Sequence, residues 1–189
     1  MLPPRTQTAL TAVAQRLERV GARFLVAGGT GRALLGCTRR PGDVDLEVDE
    51  PDASRAAEAL GLTLRRDSGG GRDGLRAEGA LGGIWLDLTS SLRVEGPHGV
   101  LEPDWTAQIE GSRRVRVGDH VLWVAPPEEH LARAIVLGDW GAIRTCATGC
   151  EGVPLRDAHV GARLAAVVRP GGRHPPAGSP PSTDASAAR

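Results

Sequence analysis

Apolar positions along the chain follow two periods, and the change from one to the other marks out its elements. Leu10, Val13, Ala14, Leu17 and Val20 recur at helical spacing and predict an amphipathic first helix that Gly21 ends. Arg23 to Ala27 is too short and too uniformly apolar for a surface helix and reads as a strand buried on both faces. Gly28-Gly29 turns the chain, Thr30 is placed to cap a short helix that stops at Gly36, and Arg39 to Gly42 reads as a loop. Asp43 to Val48 alternates strictly, with Val44, Leu46 and Val48 predicted to face inward, and Pro51-Asp52 opens a helix that runs through Ala56, Ala57 and Leu60 to Gly61.

Residues 68–74 (SGGGRDG) read as a flexible loop, and no Gly-Lys-Ser/Thr follows to make it a phosphate loop. Gly74 to Gly79 and Gly83 to Leu88 predict two strands joined by a tight turn, and Val115 to Val124 a hairpin turning at Gly118-Asp119. A helix starts at Pro126-Pro127-Glu128-Glu129 and is expected to turn Leu131, Ala134, Ile135 and Trp140 inward. A last helix is expected between Leu155 and Val168. From Arg169 on, the Pro-, Gly- and Ser-rich stretch is too poor in apolar residues to fold. The expectation is one α/β (α+β) domain over 1–168, a mixed β-sheet flanked by helices, with a disordered tail over 169–189.

Composition narrows the classes. The 189 residues carry 23 basic and 23 acidic side chains, and every basic one is arginine. Zero net charge argues against a generic nucleic-acid coat, which needs a basic surplus to release counterions. The arginine bias, with no tyrosine and a single phenylalanine (Phe24), reads as a coding bias. The N-terminal stretch lacks a signal-peptide pattern, and no run approaches the roughly 18 apolar residues that span a bilayer. Three cysteines, Cys37, Cys146 and Cys150, fit a reduced, cytoplasmic chain with no membrane partner. Cys146 and Cys150 with His159 form an incomplete zinc pattern, better read as half-buried thiols. His130 reads as a helix cap or as a residue near a bound molecule.

Chemistry concentrates in the alternating strand. Asp43, Asp45, Glu47 and Asp49 share one face, and neighbouring acids on that face stand about 7 Å apart. Glu47 and Asp49 read as solvent-facing. A wet acidic strand gives the same pattern, but no basic residue alternates with the first pair, and a divalent cation between them would turn repulsion into attraction. Asp87 lies in the apolar run Ile84-Trp85-Leu86-Asp87-Leu88. Unpaired there, it costs several kcal/mol, so it needs a cation, a hydrogen-bonded arginine or an exposed strand end. Trp85 is expected in the core or beside Asp87 in a cleft. The Gly-Gly turn can bring backbone amides close to a phosphate, and Mg²⁺ suits carboxylates that share it with substrate phosphates.

"AGGTGRALLGCTRRPGDVDLEV" resembles the signature of the nucleotidyltransferase-fold superfamily, the polymerase-β-like group. Gly28-Gly29 is followed by the thirteen residues Thr30 to Gly42, then Asp43-Val44-Asp45-Leu46, and Leu86-Asp87-Leu88 supplies a third acid between apolar neighbours. The layout is similar to small bacterial aminoglycoside and toxin-type nucleotidyltransferases. The resemblance implies a nucleotidyltransferase-like fold and transfer of an NMP from an NTP, ATP foremost, to a hydroxyl of a small molecule or tRNA, with release of pyrophosphate. It implies two Mg²⁺ ions on Asp43, Asp45 and Asp87, the last also helping to deprotonate the acceptor. It implies that Gly28, Gly29 and Thr30 hold the phosphates, with Arg39 and, less directly, Arg32 or Arg40 in reach. The alternative is a catalytically silent protein of this fold that binds a nucleotide or a partner protein.

Overall fold

The computed structural model describes residues 2–36, 41–148 and 155–167. The expectations for Cys37, Arg39, Arg40, Cys150 and the tail over 169–189 lie outside the described residues. Helix α1 (Pro4–Arg19) leads into β1 (Phe24–Val26), α2 (Gly28–Leu34), β2 (Asp43–Val48), a 3₁₀ turn (Glu50–Asp52) and α3 (Ala53–Leu60). Strands β3 (Arg65–Gly69), β4 (Arg72–Leu81), β5 (Ile84–Gly96) and β6 (Gly99–Leu101) follow, then α4 (Trp105–Gly111). The chain continues with β7 (Arg113–Val117), β8 (His120–Val124), α5 (Pro127–Leu137), α6 (Trp140–Thr148) and α7 (Asp157–Ala165). The sheet runs β3-β4-β5-β2-β1-β8-β7, with β6 on the far part of β5. It is mixed: β2 pairs β5 and β1 pairs β8 in parallel, and the other pairs are antiparallel.

The two faces of this sheet are unlike. Val44, Leu46 and Val48 of β2 and Leu86 and Leu88 of β5 join the buried stripe of α1 (Leu10, Val13, Ala14, Leu17) and Ala56, Ala57 and Leu60 of α3 in the main core. The opposite face carries the acids of β2. Leu25 of β1, in register with Glu47, packs there with Ala27 and Ala125 against Trp105 and Ile109 of α4. Helix α4 thus docks on a small apolar patch, and Ala132 and Val136 of α5 pack with Val94, Leu101 and Leu164 of β5, β6 and α7, while ion pairs tie α5 to β2 and to α7.

Glu47 is 6% exposed, not solvent-facing as its alternation suggested. Both its oxygens accept from Arg133 of α5, at 2.7 and 2.8 Å. The Gln108 amide of α4 donates to Glu47 (2.9 Å) and accepts from Arg133 (3.0 Å). Arg133 also donates to Glu129 (3.2 Å), which accepts from Arg163 of α7 at 2.6 and 3.1 Å. Asp49 is paired with the Arg23 side chain instead of facing water alone.

Several local expectations change with the tertiary context. SGGGRDG is not an open loop: β3 and β4 form a ladder through it and turn at Gly70-Gly71. Helices α4 and α6 were not foreseen, being too short to show a full apolar period. Gly138 closes α5 in the left-handed conformation, so Trp140 starts α6 and stands 68% exposed, while Val136 takes the buried place. Trp85 is 51% exposed, in neither core nor cleft wall. Among the described residues no helix is long and apolar enough to cross a membrane.

Removing one partner of a buried ion pair leaves an uncompensated charge. Arg133→Ala would leave buried Glu47 with the Gln108 amide but no cation, and is expected to cost about 3–5 kcal/mol. Urea unfolding of the variant against the wild type measures this.

Candidate active site

The cleft is built where β1 ends and β2 and β5 run side by side. Val26 hands over to α2 through Ala27, which occupies the N-cap position, so Thr30 lies inside the helix and is not its cap. Thr30 is fully buried and its hydroxyl donates to the Asp43 carbonyl at 2.5 Å. It fixes the start of β2 against α2, and no hydroxyl is left facing the cleft from this position. Gly28 has φ +53°, and a Cβ there would fall 1.9 Å from the Asp45 Oδ2. The first glycine is thus required twice, for its backbone and for the space the Asp45 carboxylate occupies. Gly29 donates its N–H to that same Oδ2 at 2.8 Å.

Parallel pairing brings the acids together. Asp45 is in direct register with Asp87, and Asp43 with Trp85, so Asp45 and Asp87 sit on adjacent strands about 4.8 Å apart at the backbone, pointing to the same face. Asp45 has its pKa raised to about 6, first by burial and then by the nearby Asp43 charge. The Gly29 N–H bond works against this, Asp87 adds to it, and the Arg32 charge only partly offsets it. Among the described residues no donor is bonded to the Asp43 carboxylate.

Asp87 has a different environment. Arg76 of β4 grips it bidentately, Nε to Oδ1 at 2.9 Å and Nη2 to Oδ2 at 2.6 Å. Of the three remedies open to a carboxylate in that apolar strand, the fold uses the arginine.

The surrounding cleft, of about 340 Å³, is lined by Gly28, Arg32, Asp45, Arg72, Asp87 and His130, with Asp139 and Cys146 at its wall. Arg32, whose Nε is buried without a hydrogen-bond partner, acts on Asp45 and His130 through its charge. His130 does not cap α5, whose N-cap is Pro126. Its Nε2 is buried and unpartnered, and burial, then the Arg133 and Arg32 charges, push its pKa down to about 3, so the ring is neutral at ordinary pH. Cys146 is buried with its thiol pushed up, chiefly by burial. Arg32 was reachable from sequence, three residues after Gly29. His130, read as a helix cap or as a residue near a bound molecule, takes the second place, and Arg72 was not foreseen because it reaches the cleft through long-range packing.

Whether these residues suit a divalent cation has two answers. Asp43 and Asp45 fit one: both are hard oxygen donors, their charges repel each other, and among the described residues no guanidinium is bonded to either. Asp87 fits poorly as a third ligand, since Arg76 spans both its oxygens and sets a positive charge where a second cation would sit. Among the described residues no group of three His, Cys, Asp or Glu side chains is arranged to hold a metal. The expected Asp43, Asp45 and Asp87 metal set is therefore reduced here to the first pair, and the Cys146–His159 pattern forms no metal site among the described residues.

No family model matches the sequence, and no curated protein matches it. Solved structures do. A Thermotoga maritima protein provisionally assigned as a nucleotidyltransferase superposes with a TM-score of 0.66 at 19% identity, covering 77% of this chain and 92% of its own. ANT(2″)-Ia in complex with adenylyl-2″-tobramycin gives a TM-score of 0.52 at 14% identity, over 84% of this chain and 97% of its own. The chain has the nucleotidyltransferase fold: a mixed sheet flanked by helices.

The raised Asp45 pKa has a stability consequence. Between about pH 4 and pH 6 the folded state holds a proton that the unfolded chain releases, so the Asp45 contribution to stability falls as pH rises through that window. Asp45→Asn keeps an oxygen for the Gly29 N–H without the charge. In chelator at pH 7.5 it is expected to be more stable than the wild type by about 1–3 kcal/mol, with the gap closing near pH 4. Urea midpoints across pH 4–7.5 test this.

Proposed function

We propose that this protein is an Mg²⁺-dependent nucleotidyltransferase that moves an NMP from an NTP, ATP foremost, to a hydroxyl of an acceptor and releases pyrophosphate. The observation that carries the reading is the Asp43–Asp45 pair, to which no guanidinium is bonded among the described residues, with Asp45 and Gly28 lining the cleft. The fold supports it, as does the adenylylated antibiotic bound by ANT(2″)-Ia, a structure of the same fold. The cleft volume suits a small hydroxylated molecule or one end of a larger one such as tRNA.

Asp43 and Asp45 would hold the cation, which when bound neutralises triphosphate charge and polarises the reacting phosphoryl group. The chain's own groups do the rest. Gly28 leaves room for the Asp45 carboxylate at the start of α2, and the Gly29 N–H holds that carboxylate in its orientation. Arg32 supplies a charged donor whose Nε is unspent. Arg39 belongs to the same segment and is kept as a proposed phosphate contact. Asp87, held by Arg76 and in register with Asp45, lies on the side from which a hydroxyl would approach, with neutral His130 across the cleft as a hydrogen-bond partner. The second reading, a silent protein that binds a nucleotide or a partner, draws on the Arg76–Asp87 pair, which ties up the third acid.

Thermal unfolding with each NTP, with and without Mg²⁺, tests the binding step. Ligand at about 100 times its Kd adds roughly 2.7 kcal/mol, or several degrees for a domain of this size. The rise is expected to need Mg²⁺ and to vanish in Asp43→Ala/Asp45→Ala. Transfer of label from α-³²P-NTP to an acceptor, with pyrophosphate released, separates the enzyme from the silent binder. Arg32→Ala removes one charge-assisted hydrogen bond and is expected to weaken NTP binding about 10- to 100-fold, measured by titration calorimetry.

A further inference from the structure

Arg76 is held from three sides. Besides the bidentate grip on Asp87, its Nη1 lies 3.3 Å from Asp67 Oδ2 and its Nη2 lies 3.0 Å from Glu78 Oε1. Burial works against the guanidinium charge, yet the hydrogen bond to Asp87 leads a set of acidic contacts that hold its pKa above the ordinary arginine value. All three acids come from the β3–β4–β5 meander. Arg76 stands opposite Thr89, two residues along β5 from Asp87, and Glu78 stands opposite Asp87 itself. The ladder therefore sets the guanidinium beside the one carboxylate that is in register with Asp45.

We infer that this protein works with one divalent cation, on Asp43 and Asp45, and that Arg76 is a fixed cation at Asp87 where a second metal ion would otherwise be needed. The inference rests on reading Asp43 and Asp45 as the metal pair. A guanidinium that spans both oxygens of a carboxylate takes the acceptor sites that face it and sets a positive charge there that repels a second cation, and it cannot lose that charge by deprotonation at working pH. Its anchors on Asp67 and Glu78 resist the swing that would free Asp87. Arg76 is a positioning residue: it orients Asp87 and offsets a charge that would press further on Asp45. Arg76→Gln removes the fork and leaves an uncommitted carboxylate next to the cation pair, which is the arrangement for a second ion.

The test counts ions without relying on turnover. The chelator-stripped full chain is dialysed to equilibrium against Mn²⁺ and a non-hydrolysable ATP analogue, and Mn²⁺ and nucleotide bound per chain are measured. Wild type is expected to hold one Mn²⁺ per bound nucleotide, Arg76→Gln two, and Arg76→Gln/Asp87→Asn one again. Asp87→Asn alone, which does not depend on the folding of the arginine variant, is expected to leave the count at one. Two ions on the wild type, one on a folded Arg76→Gln, or no ion on a folded Asp87→Asn would overturn the single-ion inference while leaving the nucleotidyltransferase reading in place. No Mn²⁺ on any form, with or without the nucleotide, would overturn both.

Discussion

The structure depends on how one row of carboxylates is compensated. Asp43, Asp45 and Glu47 project from the same face of β2 and Asp49 follows directly after it, and the fold treats the four in order. Asp49 is paired with Arg23, and Glu47 is buried under Arg133 and Gln108. Asp45 receives a single backbone N–H, and among the described residues Asp43 receives no donor at all. Buried charge is tolerated only with partners, so compensation at one end lets helices dock, and its lack at the other leaves charge for something that binds. A structural sheet face becomes a candidate site within four positions along one strand.

The same logic runs across the sheet. Asp87 lies beside Asp45 but belongs electrically to β4, through Arg76. The β3–β4 hairpin is thus more than an edge: it carries the charge that decides what Asp87 can bind. On the other side, α5 brings Arg133 to Glu47 and His130 to the cleft from a single helix. Docking that helix and completing the cleft wall are one event, and damage to the ion network should reach the site through α5.

Much of this was legible in the chain. The first helix, the buried β1, the alternating β2, the hairpin over 115–124 and the helix from Pro127 all stand close to where periodicity and turn residues put them. The Gly-Gly turn, the acids of β2 and Asp87 were visible as a pattern, and the parallel pairing of β2 with β5 brings Asp45 and Asp87 side by side. Less legible were segments whose structure comes from partners. The glycine-rich stretch at 68–74 is ordered by its ladder, α4 by the apolar patch on β1, and Trp140 is turned outward by the left-handed Gly138.

Sequence alone determined which residues could do chemistry, because strand alternation puts acids on one face and glycine permits close approach whatever the rest of the chain does. It could not say which acids stay free, since a carboxylate's fate depends on cations far away in the chain: Arg133 is 86 positions from Glu47, and Arg76 is 11 from Asp87 across a hairpin. Glu47 and Asp45 look alike in sequence, two residues apart on the same face. Only tertiary packing separated them, by setting an arginine on one and leaving the other against a glycine, where removal from water and two neighbouring negative charges raise its pKa to about 6.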